Sequence, residues 1–539
     1  MADADFIVVG GGSAGCALAA RLSEDPGNRV LLLEAGPRDR NPWIHVPVGY
    51  YRTMFDPRIG WGYETDPIPH CGERSITWPR GKVLGGSSAI NGLVYIRGQR
   101  EDFDHWRQLG NQGWAFDDVL PYFTRAEDQT THVGAYHGRG GPLGISDTHR
   151  HPLCDAYIQA AQQAGIPANE DFNGAEQEGV GYFQLTVRNG LRCSSAVAYL
   201  KPARHRANLR VETGAHAMAV VFEAGRAAAV RYRQGGQQRE TRCDAEVILC
   251  GGAINSPQLL QLSGIGAGGL LSEHGVSVVH DLPGVGESLQ DHYQTRSVYE
   301  CTRPMTVNDE VRSPLRKVAA GIKWLATRTG PLSVGAGHVG LFARTREELA
   351  SPDVQFHFIR FSAVGPGQGL HPFSGFTVSV CQLRPESRGS IRIASADPFT
   401  APSIQPNYLA TEGDRQTMLD GLALSRRIAA QPAMQPLIKR EVFPGPELDS
   451  PQALAGYIRD TGYTIFHPSG TCRMGSDAMS VVDDRLRVRG VQGLRVADAS
   501  VMPTVVSGNT NAACIMIGEK LSDMIREDWR ASATSGGGG

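Results

Sequence analysis

The chain opens on alternating strand and helix signals. Phe6-Ile-Val-Val9 predicts a strand, Gly10 to Gly15 a glycine turn, the Ala/Leu-rich stretch to about Ser23 a helix, and Val30-Leu-Leu-Leu-Glu34 a second strand. That is the start of a doubly wound α/β sheet. The pattern resumes at Glu246-Val-Ile-Leu-Cys250, followed by the helix-like SPQLLQL at 256–262, then at Leu494-Arg-Val-Ala497 and in a final helix from about 510 to 527. Between these lie aromatic and β-branched runs at 351–361 and 376–394, the second broken by PESRG in a manner that suits an antiparallel hairpin. A helix at 313–330 has its own punctuation: Ser313 can cap it, Pro314 suits its first turn, and Gly330-Pro331 stops it. Leu315, Val318, Ile322 and Leu325 form one stripe on it, with Arg312, Arg316, Lys317, Lys323 and Arg328 elsewhere; a solvated surface helix is expected, with contact to an anionic membrane left open.

Composition narrows the possibilities. A chain of 539 residues is too long for one simple core. Its 53 basic and 55 acidic residues give no overall field for nucleic acid. The ten cysteines show no C-x-x-C pair or metal-finger spacing, so no metal is expected and reduced thiols in a reducing compartment are. MADADFIVVG lacks the basic start of a signal peptide and no run of 18 apolar residues occurs, so the expected location is cytoplasmic, with peripheral contact to the inner face of a membrane open. The ATSGGGG end is low in complexity, and disorder is expected over 531–539.

Gly10-Gly-Gly12-Ser-Ala-Gly15 matches G-x-G-x-x-G between a strand and a helix, where backbone N–H groups and the helix dipole hold a pyrophosphate. Glu34 closes the second strand, where a carboxylate binds a ribose diol. The same residues match G-x-S-x-G with Ser13 as a hydrolase nucleophile. Against that reading, Ser13 follows the first strand of the chain, before any sheet exists to carry an elbow.

Seven segments resemble the glucose–methanol–choline (GMC) flavin oxidoreductases in order and almost end to end: GGGSAG at 10–15, LLLEAG at 31–36, WPRGKVLGGSSAINGLVYIRG at 78–98, GGAINSPQLLQLSGIG at 251–266, LPGVGESLQDH at 282–292, FHPSGTCRMG at 466–475 and GLRVADASVMPTVVSGNTNAA at 493–513. The resemblance implies a Rossmann-like FAD-binding domain (1–40, 75–150, 196–295 and 461–530) interleaved with a substrate domain on an antiparallel sheet (41–74, 151–195 and 296–460), an α/β plus α+β architecture. It implies FAD held by Gly10, Gly12, Ser13, Ala14, Gly15, Glu34, Ala35, Trp61, Val83, Gly85, Ser87, Asn91, Gly92, Leu93, Val94, Ala217, Asp498, Ala499, Asn509 and Thr510. Some members tether FAD through a histidine that falls at Ile90 here, so a non-covalent cofactor is expected.

The implied reaction is oxidation of a primary alcohol, with electrons passed to a quinone or another acceptor. A flavin takes a hydride and does nothing for the hydroxyl proton, so a base is required. Histidine, with an ordinary pKa of about 6.5, suits that task. The resemblance assigns it to His467 and assigns Asn509 to hydrogen-bonding the substrate oxygen. Phe466 is expected in the substrate pocket, His292 as structural or cofactor-adjacent, and Asn511 as structural. An oxygen-using oxidase, a choline-specific enzyme, a hydrolase using Ser13 and a non-catalytic role remain as alternatives, and the oligomeric state is unassigned.

Overall fold

The structure, a computed structural model, describes residues 3–365 and 367–536. Two seven-stranded sheets organise it. In the first, Ala4–Val9 lies between Val30–Glu34 and the strand Gln237–Leu249, all parallel, with Leu209–Thr213 beyond Val30–Glu34 and Leu494–Val496 beside Gln237–Leu249. Gln237–Leu249 serves two neighbourhoods. Thr241, Cys243 and Ala245 alternate with less buried neighbours while its first half pairs antiparallel with Arg226–Gln234; Val247, Ile248 and Leu249 are all buried where it joins the parallel core. Half-covered strands alternate, and strands covered on both faces do not. The helix Ser13–Leu22 packs on Asn511–Gly536 at a glycine: a Cβ on Gly518 would lie 2.5 Å from the Ala14 carbonyl oxygen. That contact fixes the start of the last helix against the glycine turn.

The second sheet is antiparallel throughout, in the order Ile438–Phe443, Tyr293–Cys301, Gly375–Gln382, Val354–Ile359, Val339–Ala343 and Gly179–Tyr182, with Tyr463–Thr464 paired to Tyr293 and Gln294. Period two sorts its side chains. Val354, Phe356 and Phe358, with Phe376, Val378 and Val380, join one core cluster, while His357, Ile359, Thr377 and Ser379 line the large cavity on the opposite face. Gln294 and Arg296 reach that cavity from the neighbouring strand. Tyr463–Thr464 pairs in this sheet although its segment is assigned from sequence to the first domain.

Two expectations change. PESRG does not close a hairpin within 376–394: Gly375–Gln382 pairs with Val354–Ile359 and Tyr293–Cys301, and Ser390–Arg392 pairs with Ser403–Gln405. The cause is Asp414, whose carboxylate accepts from the backbone N–H of Glu386 at 2.8 Å and of Ser387 at 2.9 Å and turns the chain away. The last helix runs Asn511–Gly536, beyond the expected 527; residues 537–539 lie outside the described residues. All ten cysteines are free and buried.

Candidate active site

The glycine turn is shaped by contacts that exclude side chains. Gly10 sits at φ +110°, and a Cβ there would lie 2.3 Å from the Cys250 carbonyl oxygen. Glu34 is buried beside the turn, accepting from Gly11 N–H and Gly36 N–H at 2.8 Å each. Burial pushes its pKa up to about 7 against the pull of those two donors. A diol donating to this carboxylate would favour its ionised form.

One continuous cavity runs from Glu34 and Ala35 past Gly10, Gly12, Ser13 and Ala14 to Asp498, Ala499 and Thr510, and on to Phe466, His467 and Asn509. Trp61, Ser87, Asn91, Gly92, Leu93, Val94 and Ala217 also line it. Gly15, Val83 and Gly85 do not: they support the wall from behind. A Cβ on Gly15 would lie 2.0 Å from the Gly10 carbonyl oxygen, Val83 packs with Ile44, Ile59, Ala89 and Ile90, and Gly85 N–H donates to Gly11 O at 2.7 Å. Backbone donors at a helix start, glycines where a Cβ would intrude and a carboxylate at the strand end fit an adenine dinucleotide. Ser13 Oγ donates to Asn511 Oδ1 at 2.8 Å and to no histidine, which leaves it without the base a nucleophile needs. Asn511 thus braces the turn. Ile90 lines the cavity with a hydrocarbon side chain that offers no atom for a covalent tether.

At the far end the polypeptide holds His467 tightly. Phe466 takes a left-handed φ of 71°, uncommon for a bulky residue. Its N–H donates to Thr464 Oγ1 at 2.6 Å, and its carbonyl accepts from Arg80 at 2.7 Å. Asp291 completes the clamp, accepting from His467 N–H at 2.7 Å, from Thr464 Oγ1 at 2.6 Å and from the Tyr408 hydroxyl. Burial raises the Asp291 carboxyl to about 6 despite these donors.

The hydrogen bonds around His467 determine its tautomer. His292 Nε2 faces the Leu383 carbonyl oxygen at 3.1 Å, an atom that only accepts, so Nε2 carries the proton. Burial lowers the His292 pKa to about 4, which leaves the ring neutral and its Nδ1 bare. That Nδ1 lies 3.0 Å from His467 Nδ1, which must therefore donate. His467 Nε2 is then an unprotonated acceptor. Asn509 Nδ2 donates to it at 3.2 Å, and Gln355 Nε2 donates to Asn509 Oδ1 at 3.1 Å. His292, expected to be structural or cofactor-adjacent, lies in direct contact with His467.

Burial first, then the neighbouring His292, His357 and Arg80, hold the His467 pKa well below its ordinary value. His467 is therefore expected to stay neutral, with the proton on Nδ1, through pH 6.5. Histidine-selective ¹⁵N spectra, assigned with a His467→Ala variant, check this; a His467 signal with its midpoint near 6.5 would contradict it.

Gln355, His357, Arg80 and Arg296 went unrecognised in the sequence. The alternation in Val354-Gln-Phe-His-Phe358 was the available signal for two of them, since it puts Gln355 and His357 opposite three hydrophobic residues. The His357 ring stands beside Asn509, and burial lowers its pKa to about 4, so a neutral ring lines the cavity.

The N-terminal and C-terminal sequence profiles of GMC oxidoreductases match residues 4–294 and 385–518. The chain is 44% identical over 531 residues to a mitochondrial choline dehydrogenase of Mus musculus, covering 97% of this chain and 89% of that one. It is equally 44% identical over 525 residues to an alcohol dehydrogenase [acceptor] of Pseudomonas putida, covering 97% and 95%. Among solved structures, pyridoxine 4-oxidase from Mesorbium loti superposes with a TM-score of 0.88 at 31% identity, covering 97% of this chain and 99% of that one. A formate oxidase of Aspergillus oryzae superposes with a TM-score of 0.92 at 27% identity, covering 98% and 99%.

Proposed function

This chain belongs to the GMC oxidoreductase family, and from that premise we propose that it oxidises an uncharged primary alcohol to the aldehyde, with His467 as base and Asn509 as its partner on the substrate oxygen. FAD, when bound, supplies the two-electron acceptor for the hydride. The residues suited to hold it are Glu34, the 10–14 turn, the 87–94 segment, Asp498, Ala499, Asn509 and Thr510.

The observation that carries the reading is the 3.2 Å contact between Asn509 Nδ2 and His467 Nε2. An alcohol oxygen can replace it, accepting from the amide and donating its proton to the bare nitrogen. As that proton moves, His467 becomes an imidazolium whose Nδ1–H is already held by His292. The Asn509 donor favours the negative charge growing on oxygen, and His357 supplies a further neutral donor in the same cavity. Electrons then pass to a quinone or similar acceptor; comparing reoxidation by air and by a quinone analogue discriminates this from oxidase behaviour.

Choline is the second reading, supported by the relatives named for it and by the rings of Tyr50, Tyr51, Phe361 and Tyr463 in the cavity wall, which suit a quaternary ammonium. Arg296 weighs against it. The acidic residues among the lining are Glu34 and Asp498, and the latter is committed to Gly252 N–H, Ser256 Oγ and Ser500 N–H. The Arg296 guanidinium lies 5.3 Å from the Tyr463 ring and has no carboxylate partner among the described residues. At an effective dielectric of about 20, a like charge about 7 Å away costs roughly 2 kcal/mol.

Anaerobic flavin bleaching by 3,3-dimethyl-1-butanol, the uncharged isostere of choline, tests the choice. The isostere is expected to give at least about tenfold higher kcat/KM than choline, with Arg296→Gln narrowing the gap. A preference for choline would defeat the neutral-alcohol reading.

A further inference from the structure

The helix Pro314–Thr327 carries its leucine, isoleucine and valine side chains on the outside. Leu315, Val318, Ile322 and Leu325 are 84%, 61%, 63% and 66% exposed, whereas the buried residues of this helix are Ala320 and Trp324 on the opposite side. Ser313 Oγ accepts from Arg316 N–H at 3.3 Å to cap the first turn, and the Arg328 guanidinium lies 4.4 Å from the Trp324 ring at the end. The helix is therefore docked by one face and presents a second apolar face outward.

Charge selects what that outer face meets. At about 100° per residue, Lys317 and Arg328 border the stripe on one side and Arg316 and Lys323 border it on the other. No aspartate or glutamate occurs from Val311 to Arg346. A two-fold contact with a second copy would bring these basic borders together, an arrangement that repels. An apolar stripe between rows of basic side chains matches a surface with acyl chains beneath anionic headgroups.

The helix also lies beside the cavity. At its start, the Arg312 guanidinium donates to the Pro372 carbonyl oxygen, and Asn308 Nδ2 donates to Ser362 O at 2.9 Å, tying it to the segment whose Ala363, Gly365 and Gly367 line the cavity. Beyond its end, the turn Pro331–Ser333 leads to Ala336, which lines the cavity as well. Phe55, exposed and lining the cavity, meets this same segment: a Cβ on Gly367 would lie 2.6 Å from its ring.

We infer that the outer face of Pro314–Thr327 is a docking surface for an anionic phospholipid bilayer, inserted through Leu315, Val318, Ile322 and Leu325 and steered by the flanking Lys and Arg residues. Docking there sets the cavity against the lipid surface, where an apolar substrate or acceptor partitions.

Flotation of the FAD-loaded protein with phosphatidylcholine vesicles, alone or containing phosphatidylglycerol, tests the inference. Binding is expected to the anionic vesicles and at least about tenfold weaker to the neutral ones. Leu315→Ser with Ile322→Ser, and separately Lys317→Glu with Lys323→Glu, should each weaken anionic-vesicle binding about tenfold or more while turnover with a water-soluble acceptor stays unchanged. Absence of binding, or binding undiminished in both double variants, overturns it. So does a dimer in sedimentation that the serine pair dissolves while vesicle binding persists.

Discussion

Replacing His467 with alanine is expected to leave FAD bound and the fold intact while slowing anaerobic flavin reduction by alcohol about 10² to 10⁴-fold, the usual contribution of a positioned base. The side chain is buried at the end of the cavity, and the hydrogen bonds that shape its backbone come from its own N–H and from Phe466 rather than from the ring. Loss of the imidazole therefore removes the proton acceptor without dismantling the clamp. Stopped-flow reduction beside a flavin-content measurement separates the outcomes. A variant that retains flavin and reduces it at the wild-type rate would remove His467 from the chemistry.

The second large effect belongs to His292. His292→Ala deletes the acceptor for His467 Nδ1–H, so the ring is free to carry its proton on Nε2, where it has no lone pair for the substrate. A loss of about 10 to 100-fold in the reduction rate is expected, the range typical of a group that orients another. Asparagine offers a discriminating control. Its Oδ1 can accept from His467 Nδ1–H as His292 Nδ1 does, so His292→Asn should keep most of the activity that alanine loses. Histidine ¹⁵N shifts should show a mixture of the two His467 tautomers in the alanine variant, where Asn509 alone still favours the bare Nε2, and the Nδ1–H form in the asparagine variant. Equal activity in the two variants would mean that the contact between His292 and His467 does not set the tautomer.

These two residues illustrate what the sequence made legible. His467 stood out because it lies inside a contiguous motif, FHPSGTCRMG, and Asn509 for the same reason. His292 also lies within a motif, LQDH, but its partner is 175 residues away and only the paired ladders bring the two Nδ1 atoms to 3.0 Å. Gln355 and His357 sit in a strand recognised from its composition, and its alternation put them on one face, yet nothing local said that this face would meet the cavity. That depended on the order of the strands around them. Asp291 shares its motif with His292, and its role follows from where the chain of Phe466 and His467 passes.

The PESRG segment shows the opposite error. Its residues suit a turn, and a turn occurs, but the strands on either side take other partners because Asp414, far along the chain, captures the backbone at Glu386 and Ser387. Local propensity named the turn and had no access to the pairing. The 313–330 helix was bounded well from its cap and its stop, with an observed extent of Pro314–Thr327. Its inward face, however, belongs to Ala320 and Trp324, so Leu315, Val318, Ile322 and Leu325 are left exposed.

By itself the sequence determined the cofactor end of this protein. A dinucleotide turn is built from backbone donors, glycines and one carboxylate within some two dozen residues, and such local geometry is written in local order. Only the tertiary structure decided the hydrogen-bond partners of His467, the presence of Arg296 in the cavity wall and which face of the basic helix points outward. Each depends on side chains delivered by separate strands and helices, and on burial, which no single segment specifies.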